Sequence, residues 1–102
     1  MDYIKIANVS DVTEGRVTLV DGKLGRIGLT KVDGEIYAFL DLCTHRDLNL
    51  DPDSLNGEII ECAHHGAQFS VKTGEVISMP ATEPLETFPV RINGDSIEIG
   101  LE

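Results

Sequence analysis

Long hydrophobic runs and aromatic residues are scarce in this chain. It contains no Trp, aromatic residues make up 5% of its 102 residues, and the longest uninterrupted aliphatic and aromatic run covers only residues 36–40. Such a run is far too short to cross a bilayer, and residues 1–5 carry no hydrophobic core of a secretory signal. We therefore expect a cytoplasmic protein that does not bind membranes.

Positive charge is scarce as well. Eight Lys and Arg residues stand against 18 Asp and Glu residues, so the formal net charge is -10 at pH 7. Between Asp41 and Glu61 there are six acidic residues and one basic residue, Arg46. An acidic excess repels phosphate backbones and anionic lipids, so we expect no nucleic-acid partner. A docking surface for basic protein partners and a merely solvated acidic loop both remain open.

Cysteine is limited to two residues, Cys43 and Cys62. In a reducing compartment such a pair is more often catalytic or metal-binding than a structural disulfide. Cys43 forms a C-x-H motif with His45, and Cys62 forms a C-x-x-H motif with His65. Residues two apart on extended backbone leave the same face, and residues three apart converge across a tight turn, so each motif can present two donors to one site. On ligand types alone, zinc and iron are equally good occupants.

Turn signals arrive at short intervals along the chain, without internal repeats or linkers, and no segment has a long helical period. The strand-like stretches are residues 3–9, 16–20, 26–32, 34–40, 88–92 and 96–101. Asp21-Gly22, Asp33-Gly34 and Asn93-Gly94-Asp95 are typical of hairpin turns between them. We therefore predict an all-β protein with antiparallel strands.

Residues 41–69 differ in character from the strands on either side. This segment holds both cysteines and all three histidines, and turn-forming residues occur at Asp51-Pro52-Asp53 and Asn56-Gly57. At 102 residues the chain has room for one modest core. We expect a single domain over residues 1–102, in which a loop-rich subdomain at about 41–69 is inserted into an antiparallel β base.

The residues around the two motifs resemble the cluster-binding loops of Rieske 2Fe-2S proteins. The stretches that carry the resemblance are Cys43-Thr44-His45-Arg46, residues 62–69 and Lys72-Thr73-Gly74-Glu75. Residues 80–85 resemble the proline loop that covers the cluster in that family. The resemblance spans the whole chain and implies the Rieske fold with one 2Fe-2S cluster. It also implies that Cys43 and Cys62 bind one iron and that His45 and His65 bind the other.

The resemblance also bears on the redox potential. Two neutral imidazoles in place of two thiolates remove negative charge from around the cluster and raise its potential. Hydrogen bonds to the cluster sulfurs raise it further, but Ala67 and Phe69 stand where respiratory Rieske proteins typically have hydroxyl donors. Leu48 and His64 stand where those proteins have a disulfide. We therefore expect a redox potential in the lower part of the range for Rieske centres, similar to that of the soluble ferredoxins of bacterial ring-hydroxylating oxygenases.

The function implied by the resemblance is one-electron transfer, not catalysis. A Rieske oxygenase also needs a mononuclear iron held by two His and a carboxylate, and beyond the predicted ligands only His64 remains. The chain also lacks a Gly-x-Gly-x-x-Gly unit for a nicotinamide dinucleotide. The expected partners of this monomer are a ferredoxin reductase and a terminal aromatic-ring oxygenase. A nitrite-reductase small subunit and a zinc-binding interaction module are the alternatives.

Overall fold

The computed structural model describes residues 2–22, 25–41, 50–62, 67–78 and 84–101, and strands dominate this part of the chain. The strands are β1 (Asp2–Asn8), β2 (Val17–Gly22), β3 (Gly25–Val32), β4 (Glu35–Leu40), β5 (Leu50–Asn56), β6 (Ile59–Cys62), β7 (Gln68–Ser70), β8 (Val76–Ser78), β9 (Thr87–Phe88), β10 (Val90–Asn93) and β11 (Ser96–Leu101). One short 3-10 helix, Val9–Asp11, follows β1. No helix formed by the described residues is long and apolar enough to span a membrane. The prediction of an all-β fold is confirmed.

The strands form three antiparallel sheets. The first has the order β1-β11-β10, the second β2-β3-β4-β9 and the third β5-β6-β7-β8. Tight hairpins connect several neighbours, as predicted: Asp33 and Gly34, with φ of 53° and 82°, turn the chain between β3 and β4. Gly94, with φ of 63°, lies in the turn between β10 and β11. The first two sheets form the base, and the third contains the described part of the segment with the C-x-x-H motif.

Strand β4 separates two hydrophobic cores. Because successive side chains of a strand point to opposite faces, Ala38 packs with Ile97 and other residues of the base. Phe39, its neighbour, packs instead with Cys62 and Phe69 of the third sheet. The second core therefore attaches the third sheet to the base.

Two predicted boundaries are wrong in detail. Residues 88–92 do not form one strand, because the chain passes from β9 in the second sheet to β10 in the first at Pro89. Proline has no N–H to donate to a ladder, which suits it to this change of sheet. Asp21 and Gly22 do not form the predicted turn but pair with Arg26 and Gly25 at the end of the β2–β3 ladder.

The stretch Asp51-Pro52-Asp53 is also not a turn, since it lies within β5. Strand β5 is at the edge of its sheet, the position at which a sheet tolerates proline. The ladder between β5 and β6 is irregular between Asp51 and Asn56, and there the hydroxyl of Ser54 accepts a hydrogen bond from Glu61 N–H at 2.8 Å. The predicted turn at Asn56-Gly57 is confirmed, with Gly57 at a φ of 64°.

Candidate metal centre

Of the four predicted ligands, Cys62 is the one that the structure describes. It is the last residue of β6, its side chain is 1% exposed, and it forms no disulfide with any described residue. The other three predicted ligands, Cys43, His45 and His65, lie outside the described residues. So do Leu48, His64 and residues 80–83 of the predicted proline loop. Within the described ranges no group of three or more His, Cys, Asp and Glu side chains could hold a metal ion. The full ligand set therefore stays a prediction.

The C-x-x-H motif begins at the end of a hairpin ladder. Ile60 pairs with Phe69 and Glu61 with Gln68 in the β6–β7 register. The N–H of Cys62 donates to the carbonyl oxygen of Ala67 at 2.8 Å, which adds one more bond to the ladder. Cys62 is thus held by a paired backbone immediately before the two residues that separate it from His65.

The flanks of the C-x-H motif lie next to Cys62. Asp41 extends β4 by one hydrogen bond, from its N–H to the carbonyl oxygen of Arg26 at 2.8 Å. The N–H of Leu50, the first residue of β5, donates to Asp41 Oδ1 at 3.1 Å, and Leu50 is in register with Cys62. The residues that bracket Cys43 and His45 in the sequence are therefore brought beside the other motif.

The side chains around Cys62 are apolar. Leu50, Ile60, Ala67, Phe69 and Leu85 are all buried and belong to the same core as Cys62. Phe69 and Ala67 are both fully buried, and neither carries a hydroxyl group. Such a site keeps water away from the Cys62 sulfur and offers no side-chain hydroxyl donor from these two positions.

Sequence reasoning missed the role of Asp41. Its side chain is 4% exposed, whereas acidic side chains are rarely buried without partners. In the sequence Asp41 is simply the first of the six acidic residues between positions 41 and 61. Its position directly after the apolar strand β4 and two residues before Cys43 is the signal that could have identified it.

Comparisons with known proteins agree with this arrangement. A family model described as the Rieske [2Fe-2S] domain matches residues 2–89. The biphenyl dioxygenase ferredoxin subunit of Pseudomonas sp. (strain KKS102) is 36% identical over 98 residues, covering 95% of this chain and 90% of the relative. The 3-phenylpropionate/cinnamic acid dioxygenase ferredoxin subunit of Escherichia coli (strain K12) is 38% identical over 102 residues, covering 99% of this chain and 95% of the relative.

Solved structures show the same likeness. A Sphingomonas yanoikuyae B1 ferredoxin superimposes with a TM-score of 0.88 at 31% identity, covering 99% of this chain and 100% of that chain. A chain from a complex of reduced oxygenase and oxidised ferredoxin in carbazole 1,9a-dioxygenase has a TM-score of 0.84 at 31% identity, covering 98% of this chain and 97% of that chain. The predicted resemblance and its 2Fe-2S cofactor are confirmed: this chain belongs to the Rieske [2Fe-2S] domain family.

Proposed function

We propose that this chain carries single electrons from a ferredoxin reductase to the terminal Rieske-type oxygenase of an aromatic-ring dioxygenase system. The electrons pass through one 2Fe-2S cluster, held by Cys43 and His45 of one motif and by Cys62 and His65 of the other. The position of Cys62 carries the proposal: it is buried at the end of β6 and in register with Leu50, at the flank of the other motif. The relatives named as dioxygenase ferredoxin subunits support the choice of partners.

The described residues fit such a cluster. When bound, a 2Fe-2S cluster supplies reversible one-electron chemistry. The chain provides a buried Cys62 thiol at the end of a paired strand, and Phe69 and Leu50 keep water away from it. Since Ala67 and Phe69 have no hydroxyl to donate to a cluster sulfur, we propose a midpoint potential on the low branch of the range for Rieske centres.

The remaining features of the proposal concern the whole chain. It is a single domain over residues 1–102, with the cluster-binding subdomain at about 41–69, and it works as a monomer. Its location is cytoplasmic, because a reducing compartment keeps Cys43 and Cys62 as thiols available to iron. It is an electron-transfer component and catalyses no reaction on an aromatic substrate.

Metal analysis of the protein purified without oxygen tests the cofactor and its ligands. We expect iron and acid-labile sulfide in equal amounts, about two of each per chain. A redox titration should give a midpoint potential in the lower part of the range for Rieske centres. Replacing Cys43, His45, Cys62 or His65 individually by Ala should abolish the cluster. His64→Ala, next to a proposed ligand, is the matched control and should retain it. Zinc in place of iron, or a cluster that survives Cys62→Ala, would refute the proposal.

Reconstitution tests the electron-transfer role. The purified chain is mixed with a ferredoxin reductase and a terminal oxygenase of a biphenyl or 3-phenylpropionate dioxygenase system, and dihydroxylated product is measured. We expect product only when the chain is present with its cluster. Activity that is equal without the chain, or electron delivery to a nitrite reductase but to neither oxygenase, would overturn the assignment.

A further inference from the structure

Asp41 has a buried side chain and is not one of the four proposed ligands of the cluster. Among the buried residues of the described ranges, the polar or charged ones are Thr30, Asp41 and Ser70, so Asp41 is the one acid in this group. Burial of a carboxylate is costly unless the structure provides hydrogen-bond donors for it. Hydrogen-bond donors to the Asp41 carboxylate should therefore lie beside it.

The amide of Leu50 is one such donor. Among the described strands, β5 is at the edge of the third sheet, with β6 beside it. The N–H of Leu50 donates to Asp41 Oδ1 at 3.1 Å, and Leu50 is 3% exposed, so bulk water does not readily reach this amide. The Asp41 carboxylate thus supplies the acceptor that this backbone N–H needs, since a buried N–H without an acceptor is strongly disfavoured.

This hydrogen bond joins the surroundings of both motifs. Asp41 is two residues before Cys43, Leu50 is five residues after His45, and Leu50 is in register with Cys62. We propose that Asp41 is a positioning residue that holds the C-x-H segment against the C-x-x-H hairpin, so that all four ligands meet in one geometry. The inference rests on the proposed function, because it presumes that these ligands bind a cluster.

Three variants separate positioning from plain stabilisation of the fold. Asp41→Ala removes the acceptor, and Asp41→Asn keeps a carbonyl oxygen of the same shape without the charge. Thr30→Val is the control, because Thr30 is fully buried in the base and its hydroxyl donates to the carbonyl oxygen of Arg16 at 2.7 Å. It removes a side-chain hydrogen bond made by a buried residue, and this bond involves neither motif.

The measurements are the rate at which an iron chelator bleaches the cluster and the EPR spectrum of the reduced protein. Asp41→Ala is expected to bleach about tenfold faster than the wild type, the factor that corresponds to about 1.4 kcal/mol, and to have an altered EPR spectrum. Asp41→Asn should stay within about twofold of the wild type, because the retained oxygen still accepts the hydrogen bond. Thr30→Val should bleach at the wild-type rate even though it unfolds at a lower temperature.

Bleaching of Asp41→Ala no faster than that of Thr30→Val overturns the inference, and so does an Asp41→Asn variant as labile as Asp41→Ala. If Asp41→Ala does not fold, Asp41→Glu decides: its carboxylate is displaced by one methylene, so an altered EPR spectrum supports positioning and an unchanged one contradicts it. A wild-type protein that binds no cluster would refute the proposed function itself, which is a distinct result.

Discussion

Gly74 lies where two segments of backbone come into close contact. Its φ is +80°, and a Cβ at this position would collide with the carbonyl oxygen of Leu85. The N–H of buried Leu85 donates to the carbonyl oxygen of Gly74 at 2.7 Å. One residue further on, the carbonyl oxygen of Glu86 accepts a hydrogen bond from Leu40 at 2.9 Å. Gly74 therefore holds residues 84–86 between the third sheet and the base.

Replacing Gly74 by Ala is expected to lower the free energy of unfolding by about 3 kcal/mol, since the change adds a steric clash to an unfavourable backbone conformation. Gly57→Ala is the matched control, because Gly57 has a φ of +64° but nothing within 4 Å of the added Cβ. It should cost about 1 kcal/mol. Urea denaturation of both variants measures the difference, and equal losses would show that the contact with Leu85 is unimportant.

The phenol of Tyr37 has a perturbed protonation equilibrium. Its O–H donates to Glu35 Oε2 at 3.0 Å. This hydrogen bond, together with desolvation and the negative charge of Glu35, raises the pKa of Tyr37 above its usual value of 10.0. Because the pKa is higher in the folded than in the unfolded state, the protonated phenol favours folding. That contribution is complete below the unfolded pKa and is lost as the pH rises through the folded pKa.

An ultraviolet titration of the folded protein should therefore show Tyr37 ionising at a higher pH than in the urea-unfolded chain. Tyr37→Phe identifies its signal, since the chain has two Tyr residues. In Glu35→Ala the hydrogen bond and the nearby charge are both removed, so the pKa of Tyr37 should move down towards its usual value. An unchanged midpoint in Glu35→Ala would contradict this explanation of the shift.

Among the strands, β4 connects the base to the proposed cluster region most directly. Phe39 is fully buried, pairs with Gly28 and packs in the same core as Cys62. A Cβ at Gly28 would overlap the Phe39 ring, so the absence of a side chain there makes room for the ring. The phenyl ring thus fills the space between the second sheet and the third sheet.

Truncation of this ring by Phe39→Ala is expected to reduce the free energy of unfolding by about 3–5 kcal/mol and to accelerate cluster loss. Ile97→Ala opens a cavity in the other core and should cost about 2–5 kcal/mol, with a smaller effect on the cluster. Circular dichroism reports unfolding, and visible absorbance reports the cluster in the same samples. Cluster loss that depends only on overall stability, identically in both variants, would contradict the separation of the two cores.

The strands that the sequence predicts well are those governed by local patterning. β3, β4 and β11 follow β-branched and apolar residues bounded by turn formers, and such a signal requires no knowledge of distant contacts. The errors at Pro52 and Pro89 have a different origin, because proline suits both turns and sheet edges. Which of the two occurs is decided by pairing with strands far away in the sequence.

The candidate site likewise has one part that follows a local sequence pattern and one part that depends on contacts between distant residues. The spacing of Cys62 and His65 is a local pattern and could be identified directly. The burial of Asp41 depends on the edge position of β5, nine residues later, and on the register of β5 with β6. A buried carboxylate therefore cannot be distinguished from the surrounding exposed acids by composition alone.

The charge of the chain as a whole affects how it meets its partners. In the described ranges the ion pairs are Arg26–Asp21, Lys72–Asp33 and Arg91–Glu98, and each has at least one well-exposed member. Eight Lys and Arg residues cannot neutralise 18 Asp and Glu residues, so the chain keeps a formal net charge of -10 at pH 7. Long-range attraction then accelerates encounters with a basic surface, and dissolved salt screens that attraction.

Electron transfer to the terminal oxygenase is therefore expected to slow severalfold as the ionic strength rises from about 0.01 to 0.15 M, where the screening length falls from about 30 to 8 Å. Stopped-flow oxidation of the reduced chain measures the second-order rate.

Two substitutions test which acidic residues matter. Asp53→Asn is on the exposed side of β5, and Asp53 belongs to the acidic segment between the two motifs. It should therefore reduce the rate and its salt dependence more than Asp95→Asn in the β10–β11 turn. Rates independent of salt would exclude electrostatic docking. Equal effects of the two substitutions would mean that the overall charge, not the acidic segment, steers the encounter.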